Sequence, residues 1–255
     1  MESILVLNKQ IGETPLECIN RFRESHPDYR DIKMTYAGRL DPIASGVLIV
    51  LTGDMVYKKD EYLKLPKRYE CTAILGIATD TYDVLGIPSS YQKEGLEIEF
   101  EKVKSVLESY IGTFSQPYPP YSSKTINGEQ MHTLARTGRL SELVIPKQSV
   151  TVHSILNIQI TSVALKDIYD EVIQIINRVT GDFRQQEIIA KWGQLYHEHK
   201  EAVINLVSFT IDVSGGTYIR GIVHELGQKL DPSIDIGACI IRLNRKSVGD
   251  HTLDK

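Results

Sequence analysis

Gly38–Leu51 limits what this chain can fold into more than any other segment. A glycine, an Asp41-Pro42 dipeptide and Gly46 lead straight into the apolar run Val47-Leu48-Ile49-Val50-Leu51. Pro42 fixes its own φ and pushes Asp41 out of the helical region, so the dipeptide makes a turn. An apolar run bounded by turn residues reads as a buried strand. The chain must therefore hold one carboxylate on a rigid turn at the edge of a buried element. Loops braced by a scaffold in this way are where catalytic groups concentrate. Taken alone, Asp41 reads first as a structural Asx turn whose side chain caps nearby amides.

With 255 residues, 42% of them hydrophobic, the chain is long enough for one large core or two small ones. It contains no run of about 18 apolar residues, so no membrane crossing is expected. The start, Met1 to Leu7, carries an acid and no basic region, and reads as a short buried strand rather than a signal peptide. Cys18, Cys71 and Cys239 are odd in number and widely spaced. That spacing argues against a disulfide framework or a zinc site, and for core thiols in a reducing cytoplasm. The net charge of −4 is a mild argument against a nucleic-acid partner, because phosphate binding usually needs a basic face. Basic residues nevertheless cluster at Lys58, Lys59, Lys64, Lys67 and Arg68, and again at Arg242, Arg245 and Lys246, while acids gather from Glu94 to Glu101. A dipolar surface follows.

Strands and helices alternate along the chain. Thr14-Pro15-Leu16-Glu17 is a capping box that opens a helix ending near Pro27. Residues 68–76 alternate as a strand, with Tyr69, Cys71, Ala73 and Leu75 on one side. Ile98 to Ile111 has helical spacing and stops at Gly112. The stretch 113–127, rich in Pro, Tyr and Ser, reads as irregular, and Glu129 to Arg136 as a short helix closed by Gly138. A strand through Leu156, Ile158 and Ile160 precedes a helix containing Val172, Ile173, Ile176 and Val179. The clearest strand is 203–213, with Val203, Val207, Phe209, Ile211 and Val213 on one face; Tyr218 to Leu230 is a final helix. The pattern predicts one α+β catalytic domain over 1–255, with an excursion at about 113–145.

Several separated segments agree with one family. Gly38-x-Leu40-Asp41-Pro42-x-Ala44-x-Gly46-Val47-Leu48 resembles the active-site signature of the TruB-type tRNA pseudouridine synthases. Lys67-Arg68-Tyr69 is similar to that family's second motif, and Gly76-x-x-Thr79-Asp80-Thr81-x-Asp83-x-x-Gly86 follows it. Gln116-x-x-Pro119-Pro120-Tyr121-Ser122-Ser123, Asn127-Gly128 and Ala135-Arg136-x-Gly138 resemble the RNA-gripping insertion called the thumb. Ser214-Gly215-Gly216-Thr217-Tyr218-Ile219-Arg220 matches the last catalytic motif, and Leu226-Gly227 with Arg242-Leu243-x-Arg245 completes the order. The resemblance runs from about Leu7 to about Gly249.

This resemblance implies a pseudouridine synthase fold, with a mixed, mostly antiparallel central sheet flanked by helices and a thumb insertion. It implies isomerisation of uridine to pseudouridine at uridine 55, in the T-arm loop of tRNA. That reaction breaks an N-glycosidic bond, turns the base and rejoins it through carbon, so no cofactor and no metal are expected. A carboxylate serves such chemistry as nucleophile or as stabiliser of an oxocarbenium-like sugar, and the resemblance assigns that role to Asp41. Arg220 is its natural partner, because a guanidinium can pair bidentately with a carboxylate and keep it ionised. Tyr69 is placed to stack on the extracted uracil, and Tyr218 to shape the pocket. The base must be flipped out of folded RNA to react. Tyr118, Tyr121, Lys124 and Arg136 of the thumb suit stacking and phosphate contacts, as do Tyr36, Arg39, Lys67 and Arg68 around the motifs.

The chain departs from the family pattern in places. Tyr36 stands where His is usual and Arg39 where Thr is usual. Gly38-Arg39-Leu40-Asp41 is the spelling of the RluA and RsuA types, which act on ribosomal RNA. Gln10 replaces a Pro, His132 a common Tyr, and Thr125 a common Lys, with Lys124 one place earlier. The sequence runs only a few residues past Gly249, so a compact member gripping RNA without a C-terminal PUA domain is expected. The expected partner is the T-arm of tRNA, bound by a cytoplasmic monomer. Two alternatives stand beside this reading: a ribosomal-RNA synthase, and a tRNA-binding or folding protein that has lost catalysis. His197 and His199 form only an isolated pair on a polar segment and read as surface residues.

Overall fold

Val47–Leu51 forms the middle of the third strand of a large sheet, and it is buried on both faces. The computed structural model describes residues 2–91, 98–231 and 236–253. Of the acidic stretch Glu94–Glu101, residues 94–97 lie outside these.

The chain begins with β1 (Ile4–Lys9), α1 (Pro15–Ser25), β2 (Met34–Ala37), β3 (Ala44–Thr52), α2 (Lys59–Lys64) and β4 (Lys67–Leu75). A short hairpin of β5 (Ile77–Thr79) and β6 (Pro88–Tyr91) follows, then α3 (Phe100–Glu108) and β7 (Gly112–Pro117). The excursion carries β8 (Thr125–Ile126), β9 (Glu129–Gln130) and α4 (Met131–Arg136). The remainder is β10 (Lys147–Ala164), α5 (Leu165–Arg178), α6 (Gln185–Glu198), β11 (Val203–Val213), α7 (Ile219–Leu230) and β12 (Ala238–Val248).

The main sheet has eight strands, with β1-β3-β12-β4-β11-β10-β7 in line and β2 added beside β3. Its strand pairs are antiparallel except β12 with β3. This is the mixed, mostly antiparallel α+β sheet that the sequence led us to expect. In β3, Leu48 and Val50 pack with Leu5, Cys18 and Ile19 on one side, while Val47, Ile49 and Leu51 pack with Val248 on the other. The largest core joins α3, α5, α6 and α7 to β4, β11 and β12. Each large apolar side chain buried there stabilises the fold by about 1.5–3 kcal/mol. All three cysteines are buried and free.

Local rules account for the ends of several elements. Thr14 accepts from Glu17 N while the Glu17 carboxylate accepts from Thr14 N at 2.6 Å, the capping box read from the sequence. Strand β4 alternates strictly at its start: Lys67, Tyr69 and Cys71 are buried, whereas Arg68 and Glu70 are exposed. Among the described residues no helix is long and apolar enough to cross a membrane.

The fold departs from the sequence reading in four places. Residues 113–117 are not irregular but belong to edge strand β7, paired with β10 from Thr113↔Thr151 to Pro117↔Lys147. The excursion therefore starts at Tyr118 and closes where Tyr118 N donates to Pro146 O. Helix α6 was not anticipated; it pairs with α5 as a helical hairpin inserted between β10 and β11. Strand β12 was also missed. Val203, read as inward-facing, is 65% exposed at the start of β11.

Candidate active site

The Asp41 turn joins β2 to β3 and is tied down through its backbone. Ala44 N donates to Asp41 O at 2.9 Å, and Gly12 N to Pro42 O at 2.8 Å. Two buried cations then grip the carbonyls around it. Lys9 Nζ donates to Ala44 O at 2.5 Å, while Arg245 donates to Val47 O at 2.7 Å and to Gly38 O at 3.0 Å. Burial pushes the Lys9 ammonium down to about 8, against the pull of Glu13 and Asp41. A buried polar group must find partners or cost free energy, so these two side chains hold the turn and are held by it.

Arg220 enters from the first turn of α7. Buried Gln116 positions that helix start, accepting from Tyr218 N and donating to Tyr218 O, both at 2.9 Å. The Arg220 guanidinium is 4% exposed and uses each arm on a different partner. Nε donates to Asp41 Oδ2 at 2.8 Å, one terminal nitrogen to Thr81 O at 2.6 Å, and the other to Tyr121 O at 3.3 Å. The contact with Asp41 is thus a single N–H bond, not the bidentate fork anticipated. Burial works against the charge, but Asp41 and Asp83 outweigh it and hold Arg220 above its ordinary range. Asp41 itself keeps 32% of its side chain exposed, so a ligand can reach it.

A second acid lies behind the pair. Asp83 Oδ2 is 3.7 Å from Arg220 Nε, and its other oxygen accepts from Thr81 Oγ1 at 2.8 Å and Leu85 N at 3.0 Å. Burial, offset in part by Arg220, pushes the Asp83 carboxyl up to about 6. In the sequence Asp83 carries no signal beyond its place in the motif Gly76-x-x-Thr79-Asp80-Thr81-x-Asp83-x-x-Gly86.

Asp41 and Arg220 open into a cleft of about 720 Å³. Of the other predicted residues, Tyr69, Tyr218, Tyr36, Arg39, Lys67, Tyr121 and Arg136 line it. Burial, then Asp41, raises the Tyr218 hydroxyl above its ordinary range. Lys59 lies 5.2 Å over the Tyr36 ring. Lys67 lines the cleft but spends its ammonium on Leu63 O and Leu65 O, both at 2.6 Å, and burial pushes it down to about 8.

Three predicted residues stand outside the cleft lining. Arg68 points to the other face of β4, where it grips Asp212 through two bonds of 2.7 and 2.9 Å. Tyr118 lies behind Tyr218, ring centroids 5.8 Å apart, and Lys124 rests 5.1 Å over the Tyr118 ring. Among the described residues no three His, Cys, Asp or Glu side chains gather as metal ligands.

The arrangement can present a reachable carboxylate, fixed by a buried guanidinium, to a group bound in the cleft that Tyr69 and Tyr218 also line. Comparisons with known proteins bear on the descent and the fold of the chain. The model of the "TruB family pseudouridylate synthase (N terminal domain)" matches residues 28–175. The chain is 30% identical over its whole length to tRNA pseudouridine synthase B of Geobacter sulfurreducens, covering 67% of that protein. It is 28% identical to the protein of that name from Aquifex aeolicus, covering all of this chain and 71% of the relative. The relative from Parabacteroides distasonis is 29% identical, with 98% of this chain and 87% of the relative covered. Among solved structures, a chain of a Cbf5-Nop10-Gar1 complex matches with a TM-score of 0.57 at 18% identity, over 98% of this chain and 50% of that one. An H/ACA RNP bound to a substrate RNA containing 2′-deoxyuridine matches at 0.54 and 17%, covering 98% and 49%. The two structural matches speak for the fold, and the sequence matches for descent. This chain belongs to the TruB family of pseudouridylate synthases.

Proposed function

We propose that this protein isomerises uridine to pseudouridine in tRNA, at uridine 55 of the T-arm loop. The observation that carries the proposal is the Arg220–Asp41 contact of 2.8 Å inside a cleft also lined by Tyr69 and Tyr218. The relatives' name, tRNA pseudouridine synthase B, supports the substrate.

In the reaction the N1–C1′ bond breaks, the uracil turns, and a C5–C1′ bond forms. The proton on C5 leaves and N1 ends with a proton, so atoms balance without oxidant, metal or organic cofactor. Asp41, held in place by Arg220, meets the sugar as positive character builds there, as nucleophile or charge stabiliser. Tyr69 stacks on the flipped base, and Tyr218 walls the pocket. Flipping costs a few kcal/mol, offset by contacts at the cleft rim. Tyr36, Arg39, Tyr121 and Arg136 line that cleft; Tyr118 and Lys124 stand at the base of the excursion beside it. The protein acts as a cytoplasmic monomer in this reading.

The test is to incubate purified protein with unmodified tRNA and ribosomal-RNA transcripts and map pseudouridine at single-nucleotide resolution. Product in the T loop supports the proposal. Product confined to ribosomal RNA supports the reading suggested by Gly38-Arg39-Leu40-Asp41, and tight tRNA binding with no product supports a binding protein without catalysis.

A further inference from the structure

One charged cluster at the cleft is not used by the chemistry above. It comes from the tip of the α5–α6 hairpin, which reaches back to the cleft mouth and lines it with Asp182, Phe183 and Arg184. The tip is fastened on two sides. Thr180 donates to the Glu17 carboxylate of α1, and Arg136 of α4 reaches Asp182 at 3.4 Å. Arg184 then caps α6 with φ of 62°, a left-handed conformation that a non-glycine residue rarely adopts. A strained arginine at this position calls for something that holds it there.

Its side chain meets two partners. One terminal nitrogen donates to Asp80 Oδ2 at 2.8 Å, and the guanidinium lies 4.9 Å over the Tyr121 ring. Tyr121 OH donates to the same Asp80 oxygen at 3.0 Å, closing a triangle. Burial, then Asp80, pushes that hydroxyl up to about 12, so it remains a donor. Asp80 is fixed from the far side by Ile87 N at 2.8 Å. The triangle matters because the Tyr121 carbonyl accepts from Arg220 at 3.3 Å, while Arg220 Nε holds Asp41.

We propose that Arg184 is a positioning residue for the isomerisation: it clamps Tyr121 against Asp80 and so aims the carbonyl that orients Arg220 towards Asp41. The inference rests on the function proposed above. The α5–α6 hairpin thus contributes to the chemistry without touching the base, and it ties the root of the excursion to the active site.

The test is single-turnover pseudouridine formation at saturating tRNA, with tRNA affinity measured in parallel. For Arg184→Ala the rate constant should fall roughly tenfold, the scale of a small misplacement of a catalytic group, while Kd stays within about twofold of wild type. Arg184→Lys should be intermediate, because an ammonium keeps the Asp80 contact but not the flat stacking over Tyr121. Asp80→Asn combined with Arg184→Ala should be little worse than the slower single variant, as expected for one shared unit. Arg184→Gln is read in the same way if the alanine variant does not fold. A wild-type rate constant in the Arg184 variants, with any change confined to Kd and its salt dependence, overturns the inference and leaves the proposed function standing. No product from wild-type protein overturns both.

Discussion

Asp41 and Arg220 lie 179 positions apart and meet through one N–H bond of 2.8 Å, while the rest of the guanidinium is taken by the Thr81 and Tyr121 carbonyls. The arginine is therefore a joint between three segments as well as a counter-charge. It links the Asp41 turn, the turn after β5 and the start of the excursion.

Arg220→Lys keeps the charge but cannot serve three acceptors in a fixed fork. It should leave at least one buried carbonyl unpaired and Asp83 poorly compensated. The expected loss of stability is about 3 kcal/mol, the scale of breaking a buried ion pair. Chemical denaturation checks this, and turnover should fall at least as strongly as stability.

Asp83 gives a pH signature. Its carboxyl titrates near 6 in the folded protein and near the ordinary 3.9 when unfolded. The folded state therefore holds more protons between those values. Its stabilising contribution is complete below about 3.9 and is lost as pH rises through 6. Asp83→Asn removes the titration. Relative to this variant, wild type should lose about 2 kcal/mol between pH 4 and 7, read from denaturation curves across that range. A constant difference would show that Asp83 titrates normally.

Gly46 sits where β3 runs beside β12, with φ of 100°. A Cβ there would stand 2.3 Å from the Arg245 carbonyl. Gly46→Ala adds backbone strain to that clash and should cost about 3 kcal/mol or more. The turn carrying Asp41 should loosen with it. Thermal melting and activity measured together check both effects.

The basic segment 58–68 divides into two groups. Lys58, Lys59 and Lys64 remain at the surface or half-buried, whereas Lys67 is buried on carbonyls and Arg68 is neutralised by Asp212. If tRNA crosses this face, Lys59→Ala should reduce the slope of log affinity against log salt by about one. Arg68→Ala should leave it unchanged. Filter binding over a salt series measures both.

Much of this was readable beforehand. The capping box at Thr14, the alternation through Tyr69 and Cys71, and the run Val47–Leu51 each follow local rules, and each folds as expected. What was lost depended on partners remote in sequence. Thr113–Pro117 is a strand only because β10 lies beside it, and its Pro- and Ser-rich composition hid that. Strand β12 carries Arg242, Arg245 and Lys246, which read as a solvated patch. In the fold Arg242 pairs with Glu171 and Arg245 is buried on two carbonyls. Helix α6 did carry a signal, since Ile188, Trp192 and Leu195 recur on one face, but the polar residues between them masked it. Within the site, Asp41 and Arg220 were legible from their motifs. Lys9, Asp83 and Arg184 were not, because their roles come from carbonyls and acids that only the fold brings near.

In the proposed reaction the Asp41 carboxylate drives formation of the carbon–carbon glycosidic bond at uracil C5. Forming that bond expels the hydrogen on C5, so tRNA transcribed with tritium at C5 of uridine reports it directly as label released to water. Wild-type protein should release one tritium per tRNA from the T loop, and Asp41→Asn, still folded and still binding tRNA, should release none. Equal release by the Asp41→Asn variant would show that the bond change does not need this carboxylate.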